Sequence, residues 1–204
     1  NLGLLDEIAG SDVATEMLAG LDAVGVTGLA MWSESLRHPV SFGEPLLTAA
    51  DFQGTKLLVP TSDASIDFAR AIGVVPVDPL DRPAAIAAGE REGGESAFVW
   101  AEQFPRVGIT TANITFYPKA NTIVANTEAF ADLSSDRQDA LQRAASDTLA
   151  YVIETNATEH DLAEQYCAEG GTVVLAQDSD VAELVELAAP VLAEREQDAD
   201  TERL

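Results

Sequence analysis

The chain has 204 residues, 47% of them hydrophobic and 6% aromatic, which suits one large folded domain or two small lobes rather than a disordered chain. Its 35 acidic residues outnumber 11 basic ones, and the net charge of −24 argues against nucleic acid or an anionic membrane surface as a partner. We interpret this acidity as a solvated surface, not as a specific cation site.

The beginning of the chain predicts a helix followed by a strand. Apolar spacing over residues 12–24 indicates an amphipathic helix that ends at Gly25, and residues 26–32 then read as a strand. Farther on, Thr48 and Asp51 have the spacing of a capping box at the start of a short helical turn.

A strand–helix–strand unit comes next. The apolar run at 56–59 predicts a buried strand, residues 63–72 a helix and residues 74–77 a second strand. Two strands joined by a crossover helix indicate a parallel sheet and an α/β fold class. A small helix is expected at 83–88.

The second half mixes short elements with one long helix. Residues 135–169 keep a helical apolar register without Pro or Gly, and Ser135 with Gln138 suggests a capping box at the start. We therefore expect one uninterrupted helix there. The remaining predictions are a helix at 97–104, strands at 107–111, 114–116, 122–125 and 172–175, and a helix at 179–197 kinked by Pro190.

Few residues in the sequence suit catalysis or metal binding. Cys167 is the only cysteine, so no intrachain disulfide can form, and we expect a buried, inert thiol. His38, in a predicted loop beside Pro39, and His160 are both expected at the surface. Nucleophile-elbow, zinc-binding, dinucleotide and phosphate-loop motifs are absent, so we expect no enzyme activity, no cofactor and no metal.

The sequence also lacks the features of a membrane-spanning segment. It contains no apolar run of about 18 residues, and it does not open with a basic and then apolar signal peptide. We therefore expect no membrane-spanning helix within these residues.

Four stretches, in order and spacing, resemble the solute receptors of TRAP transporters, the DctP-like family of the C4-dicarboxylate and sialic acid receptors. They are Ser35–Arg37, Pro45–Pro60, Ala71–Val77 leading to Gly89–Glu95, and Val124–Asn126 with Phe130 and Leu133. The resemblance runs from about residue 17 to the C-terminus and corresponds to the C-terminal two-thirds of such a receptor.

The resemblance implies an α/β, periplasmic-binding-protein-like fold with two lobes and a long bracing helix, the first lobe being incomplete here. Residues 1–54 would be the remainder of the first lobe and the crossover. Residues 55–126 would form the second α/β lobe with crossing strands. Residues 127–204 would supply the long helix, a strand and the C-terminal helix, packing on both lobes.

The resemblance further implies a function. The protein would be the extracytoplasmic solute-binding subunit of a TRAP-type secondary transporter, in the periplasm or anchored at the outer face of the cell membrane. It would capture a small organic solute, with an organic acid as the first candidate, and deliver it to the membrane permease subunits. Two alternatives stay open: a small acidic α/β enzyme, and a ligand-binding sensor of similar fold.

The family pattern also suggests binding residues, with one departure. Arg37 matches one family arginine and is the candidate ligand-facing cation, whereas Leu58 stands where the family carries the arginine that grips a carboxylate. Leucine donates no hydrogen bond, so we expect weak binding of simple dicarboxylates. Glu95 and Ser96 follow as pocket residues, with a structural carboxylate at a loop or helix start as the other interpretation of Glu95.

Three further residues complete the candidate site. Trp32 and Phe98 could form walls of a solute pocket, or could be ordinary core aromatics. Ser62 could present its hydroxyl to a ligand, or could cap the helix that follows it.

Overall fold

The computed structural model describes residues 2–78, 92–99 and 108–197. The chain forms two compact units, each built from two stretches of sequence. Unit 1 contains residues 1–36 and 118–159, and unit 2 contains residues 37–117 and 160–204.

The described helices and strands alternate through most of the chain. The helices are α1 (Leu2–Ala9), α2 (Asp12–Gly20), α3 (Ala49–Phe52), α4 (Asp63–Ala71), α5 (Thr127–Ala131), α6 (Ser135–Thr155), α7 (Glu159–Ala168) and α8 (Asp178–Glu196), with a 3-10 turn at Leu21–Val24. The strands are β1 (Val26–Ser41), β2 (Lys56–Leu58), β3 (Val75–Val77), β4 (Gly93–Ser96), β5 (Ile109–Thr111), β6 (Tyr117–Asn126) and β7 (Thr172–Val174). Across these described ranges, no helix is both long and apolar enough to cross a membrane.

Unit 1 is organised around the pairing of β1 with β6. The pair is reinforced by side chains, since the Lys119 ammonium lies 3.0 Å from the largely buried Glu34 carboxylate. Helix α1 joins this ladder because the Ser33 hydroxyl donates a hydrogen bond to Asp6. Polar side-chain contacts therefore connect both β6 and α1 to β1.

Unit 2 contains a mixed sheet with the strand order β3-β2-β4-β1-β5-β7. Strand β2 is parallel to β3 and β4, and β5 is parallel to β7, while β1 runs antiparallel to β4 and β5. Helix α4 connects β2 to β3, so the predicted parallel strand–helix–strand unit is confirmed.

The two faces of this sheet carry separate apolar clusters. The larger cluster includes Phe52, Leu57, Ile72 and Leu184, which come from α3, β2, the end of α4 and α8. The smaller cluster is centred on Phe98 and Tyr166 and lies on the face of the sheet covered by α7, the helix that contains Tyr166. Because cross-strand partners share a face and successive residues alternate, the strand register assigns each side chain in β1, β2 and β4 to one of these faces.

Strand β1 is longer than the sequence indicated, and the predicted surface loop around His38 is wrong. His38 is 2% exposed, its Nδ1 donates to the Ile114 carbonyl at 2.9 Å, and its ring centroid lies 5.3 Å from that of Phe98. The loop was predicted because of Pro39, since proline removes a ladder hydrogen bond and is rare inside sheets. Here Pro39 is accommodated opposite Glu95 on β4.

The single helix predicted over 135–169 is also wrong. Helix α6 ends at Thr155, and α7 begins at Glu159. Between them the Asn156 amide donates to the Ser33 carbonyl at 3.3 Å, and the Glu159 carboxylate accepts from the Leu36 N–H at 3.1 Å. These side-chain contacts tie the segment between the two helices to β1, although the segment contains no Pro or Gly.

Several smaller predictions can be compared directly. The Thr48–Asp51 capping box is present, whereas the one proposed at Ser135 is wrong because Ser134 is the N-cap and Gln138 instead donates to the carbonyls of the preceding turn. The buried thiol predicted at Cys167 is wrong, because that side chain is exposed.

Among the shorter elements, the strand predicted at 114–116 is wrong, because β6 begins at Tyr117 and includes the 122–125 segment. The predicted helix at 83–88, and most of the one at 97–104, lie outside the described residues. The strands at 107–111 and 172–175 and the helix at 179–197 are confirmed within two residues, and α8 continues through Pro190.

Gly93 gives a test of the packing between β4 and β1. A Cβ added there would lie 2.1 Å from the Val40 carbonyl oxygen, a backbone atom that cannot move aside without disturbing the sheet. We expect Gly93→Ala to lower the free energy of unfolding by about 2–3 kcal/mol. The matched control is Gly43→Ala, where no atom lies within 4 Å. Chemical denaturation of both variants measures the difference, and equal stability would contradict this packing.

Candidate functional site

The ion pair between Arg37 and Glu95 is the centre of the candidate site in unit 2. The register pairs Pro39 with Glu95, so strand alternation puts Arg37 and Glu95 on the same face of the sheet. The Arg37 Nε lies 3.6 Å from Glu95 Oε2, and the two side chains are only 11% and 12% exposed. The sequence predicted both residues individually, and the structure brings them together.

Tyr117 is the third member of this cluster. The Phe116 N–H donates to the Arg37 carbonyl at 2.8 Å, which holds the start of β6 beside Arg37. The Tyr117 hydroxyl lies near enough to Glu95 and Arg37 to feel the charges of both. Burial, and then the nearby Glu95 carboxylate, raise the pKa of Tyr117 far above its usual value, although the Arg37 charge opposes the rise. The Tyr117 hydroxyl therefore stays protonated.

Sequence reasoning missed Tyr117. The available signal was weak: a tyrosine directly before Pro118, at the boundary of a predicted strand. Its proximity to Arg37 and Glu95, which precede it by many residues, leaves no local pattern in the sequence.

The side chains of this cluster are suited to hydrogen bonding. Arginine presents planar, permanently charged N–H donors that match a carboxylate or hydroxyl oxygen. Glu95 balances the charge of Arg37 within the same buried environment. A solute in contact with this cluster would meet a hydrogen-bonding surface that is close to neutral overall.

Ser96 and Phe98 belong to the other face of the sheet. Ser96 pairs with His38, is 2% exposed, and its hydroxyl donates to the Ala97 carbonyl at 3.1 Å. Phe98 packs against both His38 and Tyr166, with a ring-centroid distance of 5.6 Å to Tyr166. Phe98 is thus a core aromatic of the smaller cluster, and Ser96 is separated from the Arg37–Glu95 pair by the sheet.

Leu58 also lies on that opposite face. It pairs with Gly94 in the parallel ladder between β2 and β4, so it shares the face of Ser96 rather than that of Glu95. It is 5% exposed. The residue that stands at the family's arginine position is therefore a buried side chain of the sheet.

Ser62 and Trp32 are placed elsewhere. The Ser62 hydroxyl accepts from the Ser65 N–H at 3.2 Å, so Ser62 is the N-cap of α4 and an exposed residue. Trp32 is half-buried in β1 and belongs to unit 1. Ligand contacts of Ser62, Trp32, Ser96 and Phe98 stay predictions.

Two cavities lie apart from these residues. Unit 2 has an apolar cavity of about 160 Å³ between α4 and α8, with Phe68, Phe116 and Leu184 in its wall. Unit 1 has a more polar cavity of about 450 Å³ near Asp6 and Asn156. Neither is lined by Arg37 or Glu95. Within the described ranges, no group of three or more His, Cys, Asp or Glu side chains is arranged to hold a metal ion.

The fold is mixed α/β and matches part of the periplasmic-binding-protein structure. It is similar to a TRAP periplasmic solute-binding protein of Shewanella oneidensis with bound succinate, at 16% identity and a TM-score of 0.81, covering 94% of this chain and 64% of that chain. A Ralstonia eutropha H16 protein with bound (S)-2-acetolactate gives 20% identity and a TM-score of 0.80, covering 95% and 65%. The sugar acid binding protein DctPAm of Advenella mimigardefordensis, in complex with galactonate, gives 19% identity and a TM-score of 0.83. The match covers 96% of this chain and 65% of that chain.

The resemblance to the DctP family is confirmed at the level of sequence as well. Residues 3–79 match the family model described as bacterial extracellular solute-binding protein, family 7. The description of that family is one of solute-binding proteins. No match was found among curated proteins. The chain spans somewhat less than two-thirds of the length of the solved structures above, at 64–65%.

Removal of Glu95 tests whether the buried pair stabilises unit 2. Glu95→Ala would leave the Arg37 charge buried without this carboxylate, and losing one partner of such a pair costs about 3–5 kcal/mol when burial is complete. Because the Arg37 and Glu95 side chains are both slightly exposed, we expect a smaller effect, with the free energy of unfolding falling by about 2–3 kcal/mol. Glu164→Ala is the control, because its partner His160 and Glu164 itself are both well exposed. Urea denaturation measures both changes, and a Glu95 effect no larger than that of Glu164 would contradict a structural pair.

Proposed function

We propose that this protein is the solute-binding subunit of a TRAP-type secondary transporter and works without catalytic turnover. The observation that carries the proposal is the agreement of two independent comparisons. The DctP family model matches residues 3–79, and the fold of nearly the whole chain follows solved TRAP solute-binding proteins. Fold similarity without a functional site would be weak support, so the Arg37–Glu95 cluster is the second element of the case.

The proposed solute is a small organic acid with a single carboxylate held by Arg37. Similar solved proteins carry succinate, acetolactate and galactonate, all of which are carboxylates. Arg37 supplies a guanidinium of the kind that recognises such groups. Because Leu58 is buried at the family's arginine position, we expect no second guanidinium to bind the solute. A ligand with one acidic group and several hydroxyls fits this cluster better than a simple dicarboxylate.

Location and partners follow from the same proposal. Solute-binding proteins of this family are extracellular or periplasmic, and we place this one on the outer side of the cell membrane. The membrane permease subunits of the transporter would receive the solute from it. Residues 55–126 would form the second α/β lobe with crossing strands, as the family resemblance implies.

Calorimetric titration of the native full-length protein tests the role of Arg37. The probes are D-galactonate, its neutral lactone and succinate. We expect galactonate to bind more tightly than succinate, and Arg37→Ala to weaken galactonate binding by roughly tenfold to a hundredfold, as expected for the loss of charged hydrogen bonds of about 1.5–3 kcal/mol. The lactone should lose less affinity, because it carries no anionic group.

The control variant is Arg70→Ala, an exposed arginine near the end of α4. It should leave all three affinities unchanged. Submicromolar succinate binding that survives Arg37→Ala would refute this account of the site.

A further inference from the structure

We infer that the apolar cavity between α4 and α8 is a second ligand site of unit 2, which takes one small aromatic ring. Neither Arg37 nor Glu95 lies in its wall, so the site is separate from the candidate solute site and does not rest on the proposed function. Shape and dispersion contacts, and not charge, would hold a molecule there.

The wall of the cavity is apolar because two helices each turn one apolar face towards it. Phe68 lies in α4 and Ile72 follows four residues later, and Leu184 and Ala188 have the same spacing in α8. Residues four apart lie on one side of a helix. Among the described residues of the wall, Thr115 alone has a polar side chain.

This composition favours an apolar guest over water. A buried water needs about 2–4 polar partners, whereas the side chains of this wall offer a single hydroxyl. The volume of about 160 Å³ also suits a small ring. An apolar protein cavity of about 150 Å³ stays dry and binds benzene.

Two phenylalanine rings in the wall favour an aromatic guest. The rings of Phe68 and Phe116 have centroids 5.2 Å apart and planes at 65°, an edge-to-face arrangement. A third ring in contact with both can meet the edge of one and the face of the other, which are geometries that aromatic pairs prefer. An aliphatic molecule of the same size would gain dispersion contacts alone.

The cavity extends from the core of unit 2 to its surface. Its inner wall includes Ile72 and Leu184, which are 1% and 6% exposed and belong to the larger apolar cluster. Its outer wall includes Val185 and Leu192, which are 59% and 56% exposed. These two lie seven residues apart, on the same side of α8. A small molecule can therefore enter along α8 without unfolding the core.

Helix α8 is held at both ends, which keeps it from closing onto α4 and removing the cavity. Just before the helix begins, the Asn113 amide donates to the Ala176 carbonyl and accepts from the Ala176 N–H, both at 2.8 Å. Near the other end, Arg195 lies 3.0 Å from Asp67 of α4. The atoms around the open space therefore lack dispersion partners that a bound ring would supply.

The first experiment maps benzene onto the unmodified protein by NMR of side-chain methyl groups. We expect saturable shifts of the Ile72 and Leu184 methyl signals as benzene is added. The methyl groups of Leu162 and Val173 are the internal control, because they pack on the smaller cluster at the other face of the sheet. Shifts that rise without saturation, or equal shifts at both clusters, would show non-specific partition of benzene and overturn the site.

The second experiment fills the cavity. Ala188 is 4% exposed in the wall, so Ala188→Leu should occupy the space and weaken benzene binding at least tenfold. Ala193→Leu adds the same side chain at an exposed position of α8 and should leave binding unchanged. Benzene at ten times its Kd should raise the Tm of the parent and of Ala193→Leu by about 3 °C, but not that of Ala188→Leu.

A smaller substitution protects this comparison if Ala188→Leu does not fold. Ala188→Val reduces the cavity by less and should weaken benzene binding by several-fold. Equal benzene affinity in the parent and in whichever Ala188 variant folds would refute a site between α4 and α8. Binding of D-galactonate is measured separately, and its failure would leave the benzene result, and this inference, unaffected.

Discussion

The buried ion pair between Arg37 and Glu95 is the interaction on which the candidate site depends. It joins the long strand β1 to β4 in a setting where an uncompensated charge would be costly. The absence of a side chain at Gly93 allows β4 to approach the Val40 carbonyl of β1 closely beside this pair. The hydrogen bond from the Phe116 N–H to the Arg37 carbonyl holds the chain entering β6 beside the pair.

Strand alternation separates residues that the sequence places side by side. Glu95 and Ser96 are neighbours in a motif, yet Glu95 faces Arg37 whereas Ser96 pairs with His38 on the other side of the sheet. Leu58 shares the side of Ser96. A motif read as a continuous string therefore mixes residues of the binding cluster with residues of the core behind it.

The features predicted correctly from the sequence depend on nearby residues. The Thr48–Asp51 capping box and the turn at Gly25, which has a φ of 76°, are each determined by residues only a few positions apart in the sequence. The break after α6 and the burial of His38 depend on partners more than 70 residues away, Ser33 and Ile114. Such contacts leave no local pattern. Arg37 and Glu95 were found through family resemblance, while Tyr117 lay outside the quoted motifs.

The exposed thiol of Cys167 has a practical consequence. It is the only cysteine in the sequence, and it follows Tyr166, whose ring is buried against Phe98 and whose hydroxyl donates to the Gly108 carbonyl. A maleimide dye would thus attach at one site, next to a firmly anchored residue, without removal of other cysteines. The unmodified sequence already provides a single position for a fluorescent reporter of events in unit 2.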